Sequence, residues 1–206
     1  MTSLARGTSV GPRGSLRAQA GAGHDGEGII ATQIRPFAPA DGEALVRLSL
    51  SAWAPVFPSF QRVLGPAIYD HLYPDWQTQQ RAVVEKAFGE GASTTVLVAE
   101  VDGIFVGFVA YLLNDEEKTG EVDLLAVHPD YQRRGVGNVL NEAALAKMRE
   151  GGMALAVVAT GGDEGHAPAR RAYEKAGYTA LPLVRYYQHL GAFAEKTADP
   201  PAGGDA

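Results

Sequence analysis

The chain has 206 residues, a net charge of −6, 46% hydrophobic residues and no cysteine. That length suits one domain with tails, and the apolar fraction is enough for a sizeable core. The negative charge argues against broad binding to nucleic acid or to an anionic membrane. The lack of cysteine excludes disulfides, thiol nucleophiles and thiolate metal sites, and it fits a reducing, cytoplasmic setting.

No apolar run approaches the ~18 residues of a membrane span. Arg6, Arg13 and Arg17 are not followed by the apolar segment of a secretory signal. Residues 1–28 are rich in Gly, Ser, Ala and Arg and cannot bury enough surface to offset their ordering entropy. They read as a disordered tail or a wrongly assigned start. Residues 191–206 read as a flexible tail, and a single domain is expected over 29–190.

The domain opens with an expected strand at Ile29–Arg35, ended by Pro36 and Pro39. Asp41 suits the N-cap of a helix at about 42–53, with Ala44, Leu45, Leu48 and Ala52 as its apolar stripe. Trp53, Phe57 and Phe60 cluster around two prolines. A second helical region covers roughly 66–88, with a break at Pro74. Thr94–Val101 and Ile104–Leu113 form a hairpin across the Asp102-Gly103 turn. Asn114–Gly120 is a polar turn and Glu121–Val127 the next strand. A helix at about 136–149 buries Leu140, Ala144 and Met148 and stops at Gly151-Gly152. Leu155–Thr160 reads as a fully buried strand, Pro168–Ala176 as a helix stopped by Gly177, and Tyr178–Tyr187 as a last extended segment.

The most informative stretch joins the strand ending at Val127 to the helix after it. It runs through His128-Pro129-Asp130-Tyr131 into Gln132-Arg133-Arg134-Gly135-Val136-Gly137 and Asn138. The glycines allow a tight turn and leave N–H groups uncovered at a helix N-terminus, where the macrodipole favours an anion. The residues alone fit a pyrophosphate cradle or an ordinary strand-to-helix turn with solvated arginines. The signatures Gly-x-x-x-x-Gly-Lys-Ser/Thr and Gly-x-Gly-x-x-Gly are both missing, which ranks a nucleotide phosphate loop last.

This stretch resembles the acyl-CoA loop of the GNAT family of acetyltransferases, whose pattern is Gln/Arg-x-x-Gly-x-Gly/Ala. The resemblance spans roughly residues 29–190. It implies an α/β (α+β) fold with a mixed, mostly antiparallel central sheet and helices on both faces. It also implies that acetyl-CoA is the co-substrate, with no metal. The loop Gln132, Arg133, Arg134, Gly135, Val136, Gly137 and Asn138 would hold the pyrophosphate. Backbone groups near Leu125, Ala126 and Val127 would pair with the pantetheine amides, while their side chains can still be core.

A second segment runs from His166-Ala167-Pro168-Ala169 to Tyr173-Glu174-Lys175-Ala176-Gly177-Tyr178. It resembles the family's Asn-x-x-Ala-x-x-x-Tyr-Glu-Lys-x-Gly-Phe. Tyr173 matches the tyrosine that faces the cofactor sulfur and can protonate the leaving thiolate, since a phenol stays protonated at neutral pH. The alternative is a ring packed into the core. His166 replaces the expected asparagine, so the cofactor contact is altered. The same histidine suits a base, a substrate contact or an exposed loop residue.

Glu121 and Asp123 lie two apart and are expected on one strand face, continued by Leu125 and Val127. By resemblance Glu121 matches a position used as a base, and Asp123 is a second candidate. Both could equally be solvated. Acceptor residues are expected among Trp53, Phe57, Phe60, Tyr69 and Trp76, with Asp75 for a cationic group and Tyr186, Tyr187 and His189 on the other side. The expected function is direct acetyl transfer to a primary amine of a small molecule, peptide or protein. The alternative is a non-catalytic acyl-CoA sensor of the same fold. No nucleic acid, membrane or metal partner is expected, and a homodimer stays open.

Overall fold

The computed structural model describes residues 30–190, so both expected tails lie outside the described residues. Five strands form one sheet in chain order: Gln33–Pro36 (β1), Thr95–Val101 (β2), Ile104–Asn114 (β3), Thr119–Val127 (β4) and Leu155–Val158 (β5). The first four are antiparallel, and β5 lies parallel to β4. The β2–β3 turn follows from its sequence. Asp102 and Gly103 both take positive φ, at 51° and 75°, which matches the twist of a two-residue hairpin. In the β3–β4 turn the Asn114 Oδ1 accepts the backbone N–H groups of Glu116 and Glu117.

Helices cover both faces. Gly42–Trp53 (α1) and Trp76–Phe88 (α4) press Leu45, Val46, Leu48 and Val84 onto Val98, Phe108, Leu124 and Ala126. Val136–Glu150 (α5) lays Val136, Leu140, Ala144 and Met148 on Val106, Val109 and Val122 on the other face. Leu45 and Leu140 are fully buried, and cutting such a leucine to alanine costs ~2–5 kcal/mol. Val56–Leu64 (α2) and Pro66–Leu72 (α3) follow α1, and Ala167–Lys175 (α6) follows β5. No helix among the described residues is long and apolar enough to cross a membrane.

Several local expectations need correction. The first strand starts at Gln33 rather than at residue 29. Asp41 stands at the N-cap of α1, but its carboxylate does not cap that helix. It takes two hydrogen bonds from Arg35 and one from the Ala38 N–H, while Arg35 also reaches Glu100 at 2.7 Å. The prolines around Phe57 do not prevent a helix. Pro58 is the third residue of α2, where its missing N–H would have had no intrahelical partner. The break expected at Pro74 is real, between α3 and α4.

The strand β5 is not fully buried. It is an edge strand with Leu155 60% exposed. Residues 178–187 form no strand, and Leu181, Leu183, Val184 and Tyr186 are exposed. Strand propensity stabilises only a segment that finds a neighbour to pair with, and Pro182 removes one donor from this one.

Candidate active site

The site begins where β4 and β5 part. Their pairing runs only from Thr119 opposite Leu155 to Val122 opposite Val158. On its other side β4 pairs Val122 with Tyr111 and Leu124 with Ala110, so Asp123 is the extra residue of a bulge. A bulge bends its strand and increases the local twist. Here β5 ends while β4 continues to Val127. Residues 123–127 therefore have no strand partner on the β5 side among the described residues, and they present open backbone groups there.

The bulge also reverses side-chain parity. Val122 packs against α5, Leu124 and Ala126 pack under α1, and Leu125 and Val127 return to the α5 side. Glu121, on the opposite side of β4 from Val122, thus does not share a face with Leu125 and Val127. Glu121 is half-buried within the paired part of the sheet, and Asp123 is exposed at the bulge.

The turn after β4 is a concavity of N–H groups. Arg133 takes φ 61° and Gly135 φ 85°, left-handed conformations separated by one residue. Gly135 is the N-cap of α5, and the first intrahelical bond is donated by Val139 to the Gly135 carbonyl at 3.1 Å. The N–H groups of Val136, Gly137 and Asn138 precede that bond and have no partner within the helix. Alternating backbone handedness and a helix N-terminus of this kind favour an anion. Gln132 anchors the turn by donating its side-chain amide to the Val127 carbonyl at 3.1 Å. Arg133 and Arg134 are exposed, and the Arg134 guanidinium lies 5.6 Å over the Tyr131 ring. Val136 turns inward into the core, as expected.

Between α5 and α6 runs a cleft lined by Leu125, Gly137, Asn138, Asn141, Ala169, Ala172 and Tyr173. It joins the open edge of β4 to the N–H concavity. Burial, together with the neighbouring Tyr178, pushes the Tyr173 hydroxyl up to about 12, so it remains a proton donor at any working pH. The rings of Tyr173 and Tyr178 meet edge to face at 5.6 Å. Tyr178 donates its hydroxyl to Asn141 Oδ1 at 3.3 Å. Asn141 is 3% exposed, and its Nδ2 has no hydrogen-bond partner. A buried donor without a partner costs ~1–3 kcal/mol, which a ligand acceptor in the cleft would relieve. Sequence reasoning missed Asn141. Its signal was a polar residue between Leu140 and Ala144 on a helix otherwise apolar on that side.

His166 does not line this cleft. It is the residue before α6, and its ring faces the other way, 5.4 Å from Phe60 and edge-on to Trp53 at 6.4 Å. Its Nδ1 meets Asp163 Oδ1 at 2.6 Å. The predicted acceptor aromatics gather on this side. Phe57 is buried and stacks on Trp76 at 4.2 Å, and Phe60 stacks on Tyr73 at 5.5 Å. Asp75 spends its carboxylate on capping α4 through the Thr78 N–H. Tyr186 is 89% exposed, outside this cluster. No group of three or more potential metal ligands occurs among the described residues.

The family model for the GNAT acetyltransferases matches residues 62–178, more than half of the chain. The chain belongs to the GNAT acetyltransferase family. It is 30% identical over 127 residues to the mycothiol acetyltransferase of Thermomonospora curvata, an overlap of 62% of this chain and 42% of that protein. The chain thus spans less than half the length of that relative. Two solved GNAT structures share its fold. One, from Desulfovibrio desulfuricans, has TM-score 0.57 and 23% identity over 74% of this chain and 87% of that one. The other, from Brucella melitensis in complex with acetyl-CoA, has TM-score 0.52 and 23% identity over 72% and 83%. The mixed, mostly antiparallel sheet with helices on both faces is the part of the architecture shared with these structures.

Proposed function

We propose that this protein is an acetyl-CoA-dependent N-acetyltransferase that moves the acetyl group directly onto a primary amine. The observation that carries the reading is the continuity of three features in one cleft. An unpaired strand edge, an N–H concavity at the start of α5 and a half-buried phenol all open onto the same space.

The residues fit acetyl-CoA. The N–H groups at Val136, Gly137 and Asn138 suit the pyrophosphate, with Arg133 and Arg134 adding charge from solvent. The backbone of Leu125, Ala126 and Val127 suits an extended pantetheine arm, as an added strand. Asn141 Nδ2 suits an acceptor on that arm. Tyr173 then donates its hydroxyl proton to the sulfur as the C–S bond breaks. The chain has no cysteine to carry an acetyl intermediate, so both substrates are bound together at transfer. The test is release of free CoA from acetyl-CoA with a panel of amines. Acetyl-CoA bound and released unchanged in the presence of every amine would refute the reading in favour of a sensor.

A further inference from the structure

On the acceptor side of α6, one histidine is held in a single orientation by groups from three segments. His166 Nδ1 lies 2.6 Å from Asp163 Oδ1, and Asp163 is 6% exposed. The other Asp163 oxygen accepts the Gly165 N–H at 3.0 Å, and that N–H is shared with Ser59 Oγ of α2 at 3.1 Å. Ser59 is itself buried at 2%. Arg170 of α6 donates to the carbonyls of Gly161 and Asp163 and closes the loop from below. Gly161 lies so close that a Cβ there would collide with both Asp163 Oδ1 and His166 Nδ1. Burial raises the Asp163 carboxyl, but the hydrogen bonds from Ser59 and His166 outweigh it and hold the group below the ordinary carboxylate range. An ionised Asp163 accepts a hydrogen bond from Nδ1–H, the tautomer in which Nε2 carries the free lone pair.

We infer that His166 is the proton acceptor for the incoming amine, with Asp163 as the residue that positions it, and that the acceptor amine carries an apolar or aromatic body. This rests on the N-acetyltransferase reading above. The His166 side chain is 15% exposed and is flanked by Trp53 of α1 and Phe60 of α2, with the Asp163 carboxylate at its Nδ1. The charged and titratable groups around it are Asp163, Arg170, Tyr73 of the short helix after α2, and the exposed Arg62–Glu164 pair at the rim.

His166 stands at the head of α6 with its ring toward Trp53 and Phe60, while Tyr173, seven residues on, lines the cleft, so the inferred base and the acid approach the reacting centre from different sides. Over one cycle the substrate ammonium loses two protons. One passes to Nε2 and then to solvent, which frees the lone pair. The N–C bond forms, the C–S bond breaks with its electrons on sulfur, and Tyr173 protonates the thiolate. The second amine proton restores the tyrosine.

The test compares two model acceptors with acetyl-CoA, 2-phenylethylamine, which is protonated at neutral pH, and aniline, which is not. A base is needed only for the first. In His166→Gln, kcat/KM for 2-phenylethylamine should fall ~100-fold or more while the value for aniline changes only a few-fold. The acid limb of the 2-phenylethylamine pH profile should move up to the ionisation of the amine itself. Asp163→Asn should lower kcat with little change in KM, and both variants should keep the calorimetric affinity for acetyl-CoA. Equal losses with both acceptors, or an acid limb left unmoved in His166→Gln, would overturn the inference. So would acetyl-CoA binding by the unaltered protein with no transfer to either amine. Failure to bind acetyl-CoA at all would instead overturn the N-acetyltransferase reading.

Discussion

Asn141→Leu separates the stability of the free protein from its affinity for the cofactor. Leucine keeps the branched shape but removes the unpaired Nδ2 that the cleft now buries. Removing that donor relieves ~1–3 kcal/mol. Against it stands the loss of the 3.3 Å bond from Tyr178, about 0.5–1.5 kcal/mol, and Tyr178 is only half-buried, so its hydroxyl can turn to water. The free variant should therefore match or exceed the parent by ~1 kcal/mol, a rise of about 2–4 °C in Tm for a domain of this size. The CoA complex should lose a hydrogen bond and bind weaker by ~1–2 kcal/mol, or about 5- to 30-fold in Kd. Differential scanning fluorimetry with and without CoA, together with calorimetry of CoA binding, reads both terms. An equal CoA-induced Tm shift and an equal Kd in the two proteins would show that Nδ2 does not face the cofactor.

The two loop glycines should respond differently. Gly135→Ala puts a side chain at φ 85° and should cost ~1–2 kcal/mol of stability and raise the KM for acetyl-CoA. Gly137→Ala meets only Val127 and Leu125 methyls at 3.7 and 3.9 Å, so its Tm and KM should stay near the parent values. Tyr173→Phe should lower kcat ~100-fold or more at unchanged acetyl-CoA affinity, and the parent profile should show no alkaline limb from this group below pH 10. Its raised pKa also predicts a sign for stability. Above the ordinary tyrosine value of about 10 the unfolded chain releases the proton while the folded chain keeps it until about 12, so stability falls with rising pH across that window and falls less in Tyr173→Phe. Initial rates with both substrates varied should give intersecting rather than parallel double-reciprocal lines, because no cysteine can hold the acetyl group.

Local signals read well where a short motif decides the geometry. The Asp102-Gly103 turn, the 42–53 helix, the break at Pro74 and the glycine turn into α5 all depend on residues close in sequence. The expectations that failed depend on partners far away. Whether Leu155–Val158 is central or at an edge depends on what lies beyond it, and the apolar pattern alone cannot say. The face expected to run from Glu121 on to Leu125 and Val127 failed because a bulge opposite Tyr111 inserts one residue into the alternation. Asp163 follows Gly161 and Gly162 and carries no signal of its role in the sequence. Its role emerges only when α2 supplies Ser59 and the loop turns His166 back onto it. The substitution of histidine for asparagine at 166 was visible from the start, but its direction was not. A residue at the head of a helix can face either side, and the Asp163 contact turns this one toward Trp53 and Phe60.

The division of labour between the last two helices follows from how each is started. α5 begins at a left-handed glycine and aims its unpaired N–H groups at the cleft, so its first turn is built for binding. α6 begins instead with a 3-10 turn and Pro168, which leaves His166 at its head and Tyr173 seven residues on. The helix sets the direction of Tyr173, but the 3-10 turn and the Asp163 contact set that of the His166 ring. Under the roles proposed above each group must be held in place separately, since a misplacement of about 1 Å can cost ~100-fold in rate. The loop that carries Asp163 is therefore as much a part of the inferred base as the histidine itself.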